Sequence, residues 1–385
     1  MTIYLDNAAS SWPKPPGVKE AMAEVIDQFA ANPGRGGHAL AIKASKVLFR
    51  TRMQLSRLFG IKNPNDLFFY LNATQALNQA IKGFLLEEGD HVVSTSIEHN
   101  SVRRPLEYLK RTRKIEVTYV RPREDQQFYA DDFGQAITER TRLVVVSHAS
   151  NLTGCILPIG EIGAITRSKG LAFLVDASQS AGVLPIDVDE MGIDMLAFPG
   201  HKGLYGPQGT GGLYVRSDID LEPMIHGGTG SQSEAIDQPT TRPDRYESGT
   251  ANTVGLAGLL AGVNFVLEKG VEEIHRHEWE LAKHAIMQLT QIPGVTVYGP
   301  NPDIERVGVV PFNIQGADAS EVSYILDQQY NIATRAGFHC TPLAHQTAGT
   351  ETLGAVRASF GVFNTVEDVN QLIVAIKEIA EVFHI

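Results

Sequence analysis

From Asp66 to about Val215 the chain alternates apolar runs of strand length with stretches of helical periodicity. The runs cover residues 67–71, 90–94, 115–120, 143–147, 171–176, 194–198 and 211–215, and helical patterns cover 75–86, about 101–111 and 160–168. Several runs are unbroken Val/Leu stretches without apolar–polar alternation, the pattern of strands covered on both faces. This requires an α/β fold whose mostly parallel sheet is flanked by helices. Ligands of such sheets lie outside the carboxyl ends of the strands. Asp176, His99, Asn151 and Lys202 each follow a strand-like run there.

The texture changes near residue 254. Long helical segments (256–269 and 271–289) give way to short strands (295–298 and 309–314), then to helices at 319–328 and 366–382, a smaller α+β module. A chain of 385 residues exceeds one compact core. The expected division is an N-terminal segment, 1–15, packing on the small module, a large domain, 16–253, and a small C-terminal domain, 254–385, carrying Cys340 and Arg357. The Gly-rich and polar stretch 227–248 reads as a mobile active-site loop. A net charge of −11 with no basic run argues against nucleic-acid and membrane-surface partners. No apolar stretch reaches the length of a membrane span, and the first residues lack a signal-peptide pattern. With Cys155 and Cys340 the only cysteines, no disulfide framework is possible, and a cytoplasmic protein is expected.

Lys202 lies in Ala197-Phe198-Pro199-Gly200-His201-Lys202-Gly203, a Gly/Pro loop between two apolar strands. A solvated lysine suits a helix surface better, whereas partial desolvation lowers the pKa and makes a usable amine nucleophile. Asp176 ends an apolar strand one short unit upstream; alone it could be a helix cap. Together the two match pyridoxal 5'-phosphate, which needs a lysine for its Schiff base and an acid to keep its pyridine nitrogen protonated. Gln179 is a capping partner or a donor to the ring's phenolate oxygen. His99 is structural, or stacks on a flat heteroaromatic ring and moves protons. Asn72-Ala73-Thr74 marks a strand-to-helix junction, where amides and the Thr74 hydroxyl suit a phosphate but an ordinary N-cap also serves. Thr250 carries the same two readings.

Cys340 is embedded among Gly, Pro, His and Arg rather than in an apolar run. Arg335 and His339 nearby would favour its thiolate, the alternative being a buried, inert thiol. A metal site at Cys340, His339 and His345 lacks a second closely spaced ligand pair. Cys155 reads as packing. Arg357 sits among small and apolar residues and needs an anionic partner, either an internal salt bridge or a substrate carboxylate held bidentately.

With these residues assembled, the chain resembles the class V aminotransferase family, within it the cysteine desulfurase and selenocysteine lyase branch. The matches run in order: Tyr4-Leu5-Asp6-Asn7-Ala8-Ala9, Glu98-His99, Ser147 to Gly154, Val175-Asp176-Ala177-Ser178-Gln179, Gly200-His201-Lys202, Glu247 to Thr253, Arg335 to Cys340 and Arg357-Ala358-Ser359. The segment from Arg335 to Cys340 is similar to that of desulfurases with a short, ordered cysteine loop. The resemblance implies the type I fold of pyridoxal-phosphate-dependent transferases. It implies that Lys202 is the Schiff-base lysine, that His99 stacks on the ring, and that Asp176 pairs with the ring nitrogen. Gln179 and Asn151 would contact the phenolate side. Ala73, Thr74 and His201 would bind the phosphate, joined across a homodimer interface by Thr250. Arg357, with Arg335 and Asn151, would hold the substrate, L-cysteine or L-selenocysteine. Cys340 would accept the sulfur as a persulfide, for onward transfer to an acceptor protein, as alanine leaves. Two departures stand out: Pro199 where the family usually has a phosphate-binding serine, and Phe338 where relatives often carry histidine. The alternatives are a selenocysteine lyase, an aminotransferase or racemase with Cys340 a bystander, and a non-catalytic sulfur-delivery scaffold.

Overall fold

The structure, a computed structural model, describes residues 2–34 and 36–383. A short strand, β1 (Ile3–Tyr4), comes first. Then β2 (Leu67–Tyr70), β3 (His91–Thr95), β4 (Glu116–Val120), β5 (Thr141–Ser147), β6 (Ala172–Asp176), β7 (Met195–Pro199) and β8 (Gly211–Val215) form one seven-stranded sheet, ordered β2-β8-β7-β6-β5-β3-β4. Every neighbouring pair from β7 to β4 is parallel, while β8 runs antiparallel to both β7 and β2. The α/β expectation therefore holds, with β8 the one reversed strand. β6, β7 and β8 are buried almost throughout because helices cover both faces, which is why their sequences do not alternate.

Chain order reverses direction across the sheet between β3 and β5. Such a switch point splays the loops at the strands' carboxyl ends and opens a crevice. His99 follows β3 and Asn151 follows β5 at this place.

The C-terminal strands are β9 (Val295–Val297), β10 (Val309–Ile314), β11 (Ile332–Ala333), β12 (Arg335–Gly337) and β13 (Ala355–Ser359). Four of them make an antiparallel sheet, β12-β13-β10-β9, and β1 pairs with β11. Helices Val271–Leu289, Ala319–Tyr330 and Val366–Phe383 bury its apolar face with residues such as Leu281, Val322 and Ile376. Helix Thr253–Lys269 instead packs on helices Val18–Gln28 and Ala39–Leu58, and its Leu256, Leu259 and Val263 join the core beside the large sheet. Among the described residues no single helix is long and apolar enough to cross a membrane.

The buried carboxyl of Glu278 has no ion-pair partner among the described residues. Glu278, on helix Val271–Leu289, is 5% exposed, and the Tyr205 hydroxyl donates to its Oε1 at 3.4 Å. Burial pushes its pKa up to about 8. The folded chain therefore keeps a proton there that an unfolded chain loses above about pH 4.5, a cost that grows until about pH 8. Glu278→Gln should leave the melting temperature little changed below pH 4.5 and raise it by a widening margin towards pH 8. Thermal unfolding measured across that range checks it.

Candidate active site

β6 ends at Asp176, whose Oδ1 accepts hydrogen bonds from the Ser178 amide and hydroxyl. Its Oδ2 has no hydrogen-bond partner among the described residues. Burial raises the Asp176 pKa, opposed by those bonds and by Lys202. β7, the next strand over, ends at Pro199 and delivers Gly200, His201 and Lys202 to the same edge. Gly182, at φ +82°, lets the two loops touch: a Cβ there would meet the Gly203 carbonyl oxygen at 2.3 Å. Burial lowers the Lys202 pKa to about 8; Asp176 opposes this, and Arg357 and Arg335 lower it further. The lysine is thus partly neutral near physiological pH, as a nucleophilic amine must be.

The N-terminal segment grips this loop from behind. The His201 carbonyl accepts from the Ser11 amide (3.0 Å) and Lys14 Nζ (2.9 Å), and the Ser11 hydroxyl donates to the Lys202 carbonyl (3.0 Å). These partners have no sequence signature, because their acceptors are backbone oxygens that any residue supplies.

His99 caps helix Asn100–Thr112, its Nδ1 accepting the Ser101 amide at 3.0 Å. The proton of the neutral ring therefore sits on Nε2. Burial, then the charges of Lys202 and Arg335, push its pKa down to about 4. At neutral pH His99 is a flat, uncharged donor. Glu98 beside it is fully buried, accepting from Thr95, the Ser147 amide (2.8 Å) and the Ser147 hydroxyl (2.7 Å), and burial raises its pKa to about 7. It ties the ends of β3 and β5 together across the switch point.

Every residue given a role from the sequence, except Thr250, lines one cavity of about 260 Å³. Ala73 and Thr74 stand at the N-terminus of helix Ala73–Gly83, which Asn72 caps by accepting the Gln75 amide at 2.9 Å. The Thr74 hydroxyl meets that of Ser101 at 2.7 Å, and the His201 ring, its Nδ1 buried and unpartnered, closes this end with Pro199. Gln179 donates to the Ala8 carbonyl at 3.1 Å and Asn151 to the His339 carbonyl at 2.8 Å, each amide keeping a second N–H. Thr250 is exposed and lines a different concavity, with Arg52, Phe69 and Glu247.

At the opposite end β12 and β13 pair so that Arg335 faces Arg357. Arg357 is 1% exposed; its Nη1 donates to the Asn151 carbonyl and its Nη2 to Asp6 Oδ1, both at 2.9 Å, while its Nε has no partner among the described residues. The internal salt bridge is thus present, and Asp6 is a site residue that the sequence reading did not single out. Arg335 has no carboxylate within ion-pair distance among the described residues. Cys340 is exposed on a turn whose carbonyl accepts the Asn100 amide at 2.8 Å, with the Thr341 hydroxyl bonded to the Ile97 and Glu98 carbonyls. His339 departs from expectation. Burial, then the Arg357 charge, push its pKa down to about 3, so it lends Cys340 no positive charge.

The donor set fits pyridoxal phosphate. Asp176 offers a free oxygen to the ring nitrogen, Lys202 a near-neutral amine to the aldehyde, and His99 a flat neutral ring. A helix N-terminus with the Thr74 hydroxyl and an unpartnered His201 nitrogen suits the phosphate, although Pro199 contributes no donor.

The chain is similar to known proteins in sequence and fold. A curated relative from Methanothermobacter thermautotrophicus, named a probable cysteine desulfurase, is 36% identical over 98% of this chain and 94% of its own length. The cysteine desulfurase of Yersinia pseudotuberculosis is 33% identical over 98% of this chain and 93% of its own. The solved apo structure of cysteine desulfurase from Thermococcus onnurineus superposes with a TM-score of 0.93 at 33% identity, covering 99% of this chain and 95% of that one. Enzymes of this kind use pyridoxal 5'-phosphate. The model of the aminotransferase class-V family matches residues 3–372, and the chain belongs to that family.

Proposed function

We propose that the chain is a pyridoxal-phosphate-dependent cysteine desulfurase that moves sulfur from L-cysteine onto Cys340 and releases L-alanine. One observation carries this reading: an exposed thiol opens onto the same cavity as the partly neutral Lys202 and the buried Asp176. A racemase or aminotransferase has no use for a thiol there.

Asp176, Gln179, Asn151, Thr74, Ala73 and His201 would hold the cofactor and His99 would cover its ring. When bound, the cofactor supplies an aldehyde for amines and a ring that takes up negative charge from the substrate. Asp176 holds the proton at the ring nitrogen. Lys202 Nζ takes the Cα proton, which its lowered pKa allows near neutrality. Arg357, kept in orientation by Asp6, and the unpaired Arg335 receive the substrate carboxylate. The Cys340 thiolate attacks the substrate sulfur. The new S–S bond forms as the Cβ–S bond breaks, sulfur is oxidised to the sulfane level, and the carbon unit is reduced to alanine once protonated.

In the same reading the C-terminal strands and the helices after residue 270 form a module that brings Cys340 and Arg357 to the larger PLP-binding domain, on which helix Thr253–Lys269 packs, so the expected boundary at 253/254 moves past that helix. Thr250, exposed and lining one concavity with exposed Leu71, reaches the phosphate of a second copy in a homodimer. A cytoplasmic setting keeps both thiols reduced, and an acceptor protein takes the persulfide sulfur.

Incubation with L-cysteine and, separately, L-selenocysteine should yield alanine from both, with sulfane sulfur on Cys340 from the first. Production of alanine from selenocysteine alone would favour the lyase. Cys340→Ala should keep the cofactor's absorbance and lose alanine release from cysteine by on the order of 100-fold or more; undiminished release means the thiol is a bystander. In cofactor-free protein, labelling of Lys202 by an amine-selective reagent should rise as pH passes about 8. Asp176→Asn should move that rise to lower pH, since it removes the charge that favours the ammonium form. Peptide mass spectrometry against pH reads both.

A further inference from the structure

His345 is buried with no exposure at all, on the short helix Pro342–Ala348, five residues past Cys340. Its Nδ1 bonds the Thr350 hydroxyl at 2.7 Å, and the ring lies within hydrogen-bond reach of the Phe338 backbone, although no well-aligned bond reaches its Nε2 among the described residues. A leucine or phenylalanine would fill the space but could make neither polar contact. Packing alone therefore does not account for an imidazole here.

The ring grips the two residues immediately before Cys340. It stacks on the His339 ring, with centroids 5.8 Å apart and planes 19° from parallel, and meets Phe338 edge-on at 5.4 Å. His339 and Cys340 have φ of +47° and +59°. Side chains with a Cβ disfavour this left-handed region, so two such residues in succession persist only where their surroundings hold them. Asn151 holds the His339 carbonyl, and His339 Nε2 holds the Ala355 carbonyl. The His345 ring supports the turn from the remaining side, and the bond to Thr350 fixes its plane.

We propose that His345 is a positioning residue, whose imidazole sets the left-handed turn at His339 and Cys340 and so aims the Cys340 sulfur at the substrate. This rests on the desulfurase reading. A sulfur displaced by about 1 Å loses on the order of 100-fold in rate.

The test compares His345→Ala, His345→Phe, which keeps a ring but not Nδ1, and Thr350→Val, which keeps the imidazole but not its anchor. In single turnovers with L-cysteine, His345→Ala should form persulfide on Cys340 about 100-fold more slowly per cofactor-loaded site. His345→Phe and Thr350→Val should each lose about tenfold. Substrate KM and cofactor absorbance should stay within about twofold of the unmodified chain, a separation that a purely structural histidine would not produce. A second arm needs no turnover: iodoacetamide should alkylate Cys340 at least fivefold faster in His345→Ala, because the released turn no longer fixes the thiol. Persulfide rates per loaded site within twofold of the unmodified chain for all three variants overturn the proposal. Should the unmodified chain form no persulfide, the desulfurase reading fails, and the alkylation rates alone decide the role of His345: unchanged alkylation overturns it.

Discussion

Two opposite charges share a nearly dry edge of the large sheet. Asp176 ends β6 and Lys202 follows the end of β7, the parallel strand beside it, and burial works against both, raising the acid and lowering the amine. Each partly offsets the cost of the other, because ionised Asp176 favours the ammonium and the ammonium favours the carboxylate. The balance leaves an amine that can lose its proton near neutrality and an acid that can hold a ring nitrogen. Removing the burial would return both groups to ordinary surface chemistry. The covering helices, the close glycine contact between the loops and the strand order all serve that one condition.

The first residues of the chain act as a brace between the two sheets. Asp6 pairs with Arg357, the Asn7 amide reaches the Ser359 carbonyl, and Ser11 and Lys14 hold the backbone of the Lys202 loop. Arg357 and Lys202, far apart in sequence, are thereby referenced to one short segment. A shift of that segment would move Arg357 and Lys202 together.

The large sheet was legible in the sequence because its inner strands, β5 to β8, are buried on both faces and read as largely unbroken apolar runs. The chemistry was legible because its side chains follow those runs directly. Other features left no local trace. Helix Ala39–Leu58 mixes Lys43, Lys46, Arg50 and Arg52 with exposed Leu40, Ile42, Phe49 and Met53, so no clean apolar stripe marks it. It is stabilised by helix Thr253–Lys269, some two hundred residues onward. The pairing of β12 with β13 joins short, Gly- and Arg-containing segments across a turn and helix, which periodicity cannot register. His339 sat correctly beside Cys340 in the sequence, yet its charge state depends on burial, which proximity along the chain does not report.

The register of β12 against β13 sets two guanidinium groups face to face. Like charges directly opposite in a sheet repel, and Asp6 neutralises only one of them. Arg335 therefore lines the cavity with no carboxylate partner among the described residues. An anionic group at that end of the cavity would offset the repulsion by supplying the counter-charge that Arg335 lacks.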